Sequence, residues 1–278
     1  MSISNIPGLI LPRQVHFEDE AGVDYLPMPS AMSTYRAPLL PEAEDIDQYP
    51  NVLESMRVLA TGFAQISETE NFSLSLDHLN ETERRLVDQF LGEGEVSIVV
   101  EGASNCHIQE SVLTGVWSVH QDTGSQQQAS IEIGPVPACV LLTEAEDARI
   151  EIEDESNPEL MNARPIIAEV IERNQNHTKA KETHVINLSL LPVNEADLHW
   201  LGDKLGYGGV TILTRGYGNC RITRTKLKNV WWVQYFNSMD TLILNTLEIT
   251  DIPEVACAAQ EDMTASQERL QGILEEYA

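Results

Sequence analysis

The sequence predicts an α+β protein made of two pseudo-symmetric repeats, each with helices packed on an antiparallel β-meander. Three observations carry this. The stretch from Phe72 to His120 returns at Ile186 to Gln234, at a separation of about 114 residues and with roughly 18 of 49 positions identical. Helical and strand-like periodicities follow one another in the same order in both copies. Both copies also place an Asn before a helical stretch and a Gly after it, at Asn80 and Gly92 and again at Asn194 and Gly206.

The elements follow in chain order. Val52, Leu53, Met56, Leu59 and Phe63 fall at helical spacing, and a second helical pattern runs from Leu160 to Asn174 ahead of the other copy. Phe72 to Leu76 alternates as a short strand should. Asn80 is an N-cap with Glu83 as its capping-box partner, and the helix through Leu86, Val87, Phe90 and Leu91 ends at Gly92. A strand from Glu95 to Glu101, a turn at Gly102 to Asn105, one longer strand from Cys106 to His120 and a third from Ala129 to Ile133 complete the unit. Ile133-x-x-Val136-Pro137 answers Ile249-x-x-Ile252-Pro253 with a shift of about two residues, as a loop-length difference produces. The expected organisation is an acidic, proline-rich arm over 1–50, extended or disordered, a first module over 51–148, an acidic linker over 149–158 and a second module over 159–278.

A formal net charge of −27 over 278 residues opposes nucleic acid, whose phosphates are held by lysine and arginine, and opposes anionic membrane surfaces. A basic partner is the electrostatically favoured one. No apolar run approaches the roughly 20 residues that span a bilayer, and Met1 to Pro12 lacks a basic leading region and a cleavage site, so a cytoplasmic protein without membrane insertion is expected.

The glycine-rich Gly92-Glu-Gly94 and Gly206-Tyr-Gly-Gly209 follow a helix and precede a strand, the reverse of a phosphate loop, and read as helix C-caps. Seven histidines are scattered and not repeated between copies, and no nucleophile-base grouping emerges from spacing. No catalytic residue, metal ligand or cofactor site is therefore assigned, and a non-enzymatic protein is expected. Cys106 and Cys220 occupy matching places as Asn-Cys pairs, which leaves open a redox or metal-handling role if symmetry brings them together; Cys139 and Cys257 complete the set without a C-x-x-C pair. A third possibility is an enzyme with a cleft between the modules. The copies diverge chemically where Glu110, Val112 and Thr114 become Arg224, Lys226 and Lys228. Period-two counting along one long strand puts Trp232 on the same face, opposite the shared Trp117/Trp231 position, so Arg224, Lys226, Lys228 and Trp232 form the candidate partner-binding surface.

Several motifs resemble a known family: Leu91-Gly-Glu-Gly-Glu-Val-Ser97, Gly115-Val-Trp117, Asn187-Leu-x-x-Leu-Pro192 followed by Asn194-Glu-Ala-Asp197, Gly216-Tyr-Gly218, Val230-Trp231, and Ile252-Pro-Glu-Val-Ala256 with Gln260-Glu-Asp262. Together they are similar to the HupH/HyaF-type nickel-iron hydrogenase expression and maturation proteins, in the right order and from residue 50 onward. The resemblance implies a chaperone or accessory protein for an uptake hydrogenase. Its implied partner is the small, iron-sulfur-carrying subunit before export, with that subunit's basic twin-arginine leader, besides other maturation factors. It supplies no catalytic residue.

Overall fold

The computed structural model describes residues 46, 48–67, 70–102, 104–124, 127–142, 150, 158–178, 182–215 and 218–277. The arm and nearly all of the linker lie outside the described residues. Six helices are described: α1 (Pro50–Gly62), α2 (Glu81–Leu91), α3 (Ala138–Leu142), α4 (Ala163–Gln175), α5 (Glu195–Leu205) and α6 (Gln260–Glu275). Ten strands form one antiparallel sheet: β1 (Phe72–Ser75), β2 (Val96–Val100), β3 (Asn105–Glu110), β4 (Val116–Asp122), β5 (Gln127–Ile133), β6 (His184–Asn187), β7 (Val210–Thr214), β8 (Asn219–Arg224), β9 (Val230–Phe236) and β10 (Leu242–Ile249).

The strand order is β1-β5-β4-β3-β2-β7-β8-β9-β10-β6, so the two modules join through β2 and β7 into a continuous sheet. Val96 pairs with Thr214, Ile98 with Ile212 and Val100 with Val210. Ile98 and Ile212 are equivalent residues of the two copies, so a pseudo-twofold axis passes between them, and the junction is the self-complementary pairing of one strand with its own duplicate.

Local chemistry explains the repeated elements. Asn80 Oδ1 accepts the Glu83 N–H at 3.0 Å while Glu83 Oε2 accepts the Asn80 N–H at 2.9 Å, and Asn194 and Asp197 reproduce the box at 2.8 and 3.1 Å. Each helix ends on a glycine in the left-handed region, Gly92 at φ 59° and Gly206 at φ 60°.

One expectation is corrected. The single long strand from Cys106 to His120 is a hairpin, β3 and β4, and the second copy repeats it as β8 and β9. Ser111 Oγ bridges to the Leu113 backbone, Thr225 Oγ1 does the same at Leu227, and Gly115 (φ 80°) and Asn229 (φ 61°) turn the chain back. Both positions carry residue types that enter the left-handed region at low cost, and this was the available signal.

Three apolar clusters result, sorted by strand parity. On one face, Ile131, Ile133 and Val116 pack with α1, α2 and α6, and Ile186, Leu247 and Ile249 pack with α4 and α5. On the other face, Ile98, Ile108, Trp117, Ile212, Ile222 and Trp231 form the central core, closed by Val136 and Val140 after β5 and by Ala256 after β10. The C-terminal helix α6, continuous in sequence with the second module, puts Met263 and Leu270 into the core of the first.

Candidate functional site

The hairpin rearranges the predicted partner-binding residues. Arg224 pairs with Trp231 and Thr223 pairs with Trp232, so Arg224 shares a face with the core tryptophan and not with Trp232. Arg224 is buried, its Nη1 donates to the Val140 carbonyl at 3.3 Å, and its guanidinium stands 5.5 Å from the Trp231 ring. Burial depresses the guanidinium pKa below its ordinary value. Trp232 is half-buried under α5, where a Cβ on Gly202 would meet its ring at 3.9 Å, and its indole N–H donates to Asn245 Oδ1. The single surface of three cations and an exposed tryptophan does not form, because a turn between two paired strands resets the period-two count.

Lys226 and Lys228 remain exposed in the β8–β9 turn. The Lys226 N–H donates to the Leu205 carbonyl at 2.9 Å, and its stem covers Gly206, where an added Cβ would lie 2.8 Å from Lys226 Cδ. A cation at the carboxyl end of α5 complements the helix dipole.

The two matching cysteines are also kept apart. Cys106 pairs with Val100 and Cys220 with Thr214, at opposite ends of the β2–β7 ladder. Three strand spacings and a four-residue offset separate them by on the order of 20 Å. Both are buried. Cys106 instead shares a thiol hydrogen bond with Cys139 on α3, a neighbour that sequence spacing did not indicate. Burial pushes the Cys139 thiol up to about 12, and burial likewise pushes Cys220, bonded to Tyr235, up to about 12. Such thiols are protonated and weakly nucleophilic near neutral pH. The shared redox or metal site of Cys106 and Cys220 is thereby overturned.

The two modules are joined strand to strand through the continuous β2–β7 ladder. A depression of about 220 Å³ lies on the outer side of the second module, lined by His177, His184, Glu172 and Glu182 among others. There His177 Nε2 meets Asp251 Oδ1 at 3.1 Å and His184 Nε2 meets Glu169 Oε1 at 2.7 Å, contacts that clasp α4 to the neighbouring loop and strand. Among the described residues no group of three His, Cys, Asp or Glu side chains is placed to hold a metal ion. No described helix is long and apolar enough to cross a membrane.

Among the described residues the exposed large apolar side chains are unevenly distributed. Met161, Val185, Leu190, Leu191, Met239 and Ile243 all lie in the second module, against Leu141 and Leu142 in the first. The family comparison matches the same two-part architecture: the model described as HupH hydrogenase expression protein, C-terminal conserved region, matches residues 49–155 and again 160–277. The chain belongs to the HupH hydrogenase expression protein family. Hydrogenase expression/formation protein HupQ of Azotobacter chroococcum mcd 1 is 43% identical over 265 residues, covering 92% of this chain and 93% of that protein. Hydrogenase expression/formation protein HoxQ of Cupriavidus necator is 41% identical over 97% of this chain and 96% of its own length. Hydrogenase-1 operon protein HyaF of Escherichia coli K12 is 31% identical over 89% of this chain and 88% of its own. Within the HupH family this chain is an accessory protein of hydrogenase expression and maturation.

Proposed function

We propose that the protein is a non-enzymatic chaperone of nickel-iron uptake hydrogenase maturation, acting in the cytoplasm by binding the small, iron-sulfur-carrying subunit before export. The family match over both modules supports the maturation role. The net charge of −27 supports a client whose leader is basic, because opposite charge speeds encounter and disfavours acidic competitors. The exposed Lys226 and Lys228 are a secondary contact for acidic groups of the same client or of another maturation factor.

A pull-down of the reduced protein against the small subunit, with and without its leader and across a salt series, tests this. Leader-dependent binding that weakens with salt is the expected result; absence of binding at low salt overturns the reading. Lys226→Glu with Lys228→Glu reduces retention by a few-fold without unfolding the protein, since both side chains are exposed, and unchanged retention removes the turn from the contact.

A further inference from the structure

The two outer strands, β1 and β6, descend from one duplicated element, yet among the described residues the segment after β1 is buried and the segment after β6 is exposed. In the first module the Leu76 N–H bonds the Ala129 carbonyl, and in the second the Leu188 N–H bonds the Asn245 carbonyl. These are equivalent points of the two ladders, and the N-caps Asn80 and Asn194 follow them by four and six residues. The second copy therefore holds two extra residues, and Leu190 does not occupy the place of Leu76, with which the constant separation of about 114 residues aligns it. Leu76 is 2% exposed, whereas Leu190 is 82% exposed.

Burial of the segment after β1 has visible causes. Leu76 and Leu79 enter the core, and Arg84 Nε donates to the carbonyls of both at 3.1 Å. The residue at the position of Arg84 in the second copy is Leu198, which has no donor. After β6, the ladder brings the Leu190 loop to the end of the sheet where β10 begins, as the Asn245 N–H donates to Ser189 Oγ at 2.8 Å. Ile243, 60% exposed, and Met239, 82% exposed, stand at that same end. Pro192 is tied alongside by the Asn162 side-chain N–H.

We propose that this ridge of Leu190, Leu191, Ile243 and Met239 docks an extended, apolar client segment flanked by lysine or arginine, which lies against the outer edge of β6. The inference rests on the chaperone reading above and gives it a place. An edge strand offers outward main-chain groups to an extended chain, and exposed apolar side chains beside it supply the burial. Charge selects among occupants. The exposed acids Glu159, Glu195 and Asp240 lie on the segments that bear or adjoin the ridge, and each copy carries −27, so a second copy is repelled and a basic segment is attracted.

The full chain is titrated with a fluorescent synthetic peptide in which two arginines precede alternating leucine and serine, and with a version carrying glutamates for the arginines. Wild type binds the basic peptide, more weakly as salt rises, discriminates against the acidic one, and gains amide-exchange protection over residues 184–191. Leu190→Asp with Ile243→Asp keeps its circular dichroism and melting, because both side chains are exposed, and loses about tenfold in affinity. Equal affinity in this variant, no peptide binding by wild type, or a wild-type dimer in sedimentation that the variant dissociates, each overturns the ridge. The small-subunit pull-down separates the two proposals. A subunit retained equally by wild type and variant leaves the chaperone reading and removes the ridge. A peptide lost by the variant with no subunit retained by wild type leaves the ridge and removes that client.

Discussion

Trp117 and Trp231 occupy the same place in the two modules, on the same face of the sheet, and both are fully buried. Trp117 donates its indole N–H to the Gly134 carbonyl at 2.9 Å. Trp231 has no acceptor for its N–H among the described residues. Beside Trp117 the buried carboxyl of Glu110 accepts the Gly115 N–H at 3.1 Å; beside Trp231 the equivalent residue is Arg224, lying over the ring. The apolar bulk of the position persists in both copies while its polar fringe has diverged. A ring of that size fills core volume whichever way its N–H points, whereas a hydrogen bond survives only if its partner stays in place.

The capping boxes offer the strongest way to break the equivalence. Asp197 Oδ1 accepts from Met161, Asn162 and Ala163 N–H at 2.9, 3.0 and 2.9 Å, besides the cap bond of Oδ2 to Asn194. Among the described residues Glu83 adds to its cap bond a single further donor, Asn51 Nδ2, at 2.9 Å. Asp197→Ala strands four amides at the start of α4 and α5 and costs about 4 kcal/mol in urea unfolding, against about 1.5 kcal/mol for Glu83→Ala. Burial works to raise the Asp197 pKa, but the four amide bonds outweigh it and hold the carboxyl below its ordinary value. Its contribution is present above the unfolded pKa near 3.8 and is lost as pH falls through the lower folded value.

Glu110 behaves in the opposite sense. Burial pushes its pKa up to about 7, against the Gly115 bond. The folded protein then binds a proton that the unfolded chain releases between about pH 4.5 and 7, so stability falls across that window as pH rises. Glu110→Gln removes this dependence and raises stability above pH 7 by up to about 3 kcal/mol, with the gain vanishing below pH 4.5. Melting temperatures of both proteins from pH 4 to 8 check it, and parallel curves would refute it.

A finer comparison uses the tryptophans themselves. Trp117→Phe loses volume and leaves the Gly134 carbonyl without its donor, whereas Trp231→Phe loses volume and removes an unpaired N–H. Trp117→Phe is expected to be the more destabilising by about 1 kcal/mol in denaturant titration. The smallest effect belongs to the surface of α2, where Arg85 and Glu81 are both exposed and paired; Arg85→Ala stays within about 0.5 kcal/mol of wild type.

Much of this was legible along the chain. The duplication, the Asn-Glu and Asn-Asp caps and the glycine helix ends depend on residues within one turn of one another, and they stand where the pattern placed them. The long strand failed because Ser111 and Gly115 spell a turn inside an otherwise unbroken β-rich run, and the candidate surface failed with it: one missed turn put Arg224 on the wrong face. The constant separation of about 114 residues misaligns Leu190 with Leu76 for a related reason, since Leu74-Ser-Leu76 and Leu188-Ser-Leu190 precede loops that differ by two residues, and hydrogen-bond register decides which leucine reaches the core.

The sequence by itself determined that there are two copies of one α+β module, where their helices start and stop, which family they belong to and that the chain is strongly acidic. These properties reside in local backbone chemistry, in repetition and in charge, none of which requires knowing what lies across the core. Only the tertiary structure decided that β2 and β7 join the copies into one sheet, that α6 closes the core of the first module, that Arg224 is buried while Leu190 is exposed, and that Cys106 neighbours Cys139 and not Cys220. Each of those outcomes depends on register and on elements far apart in the chain, where a shift of one or two residues exchanges the buried face for the solvated one.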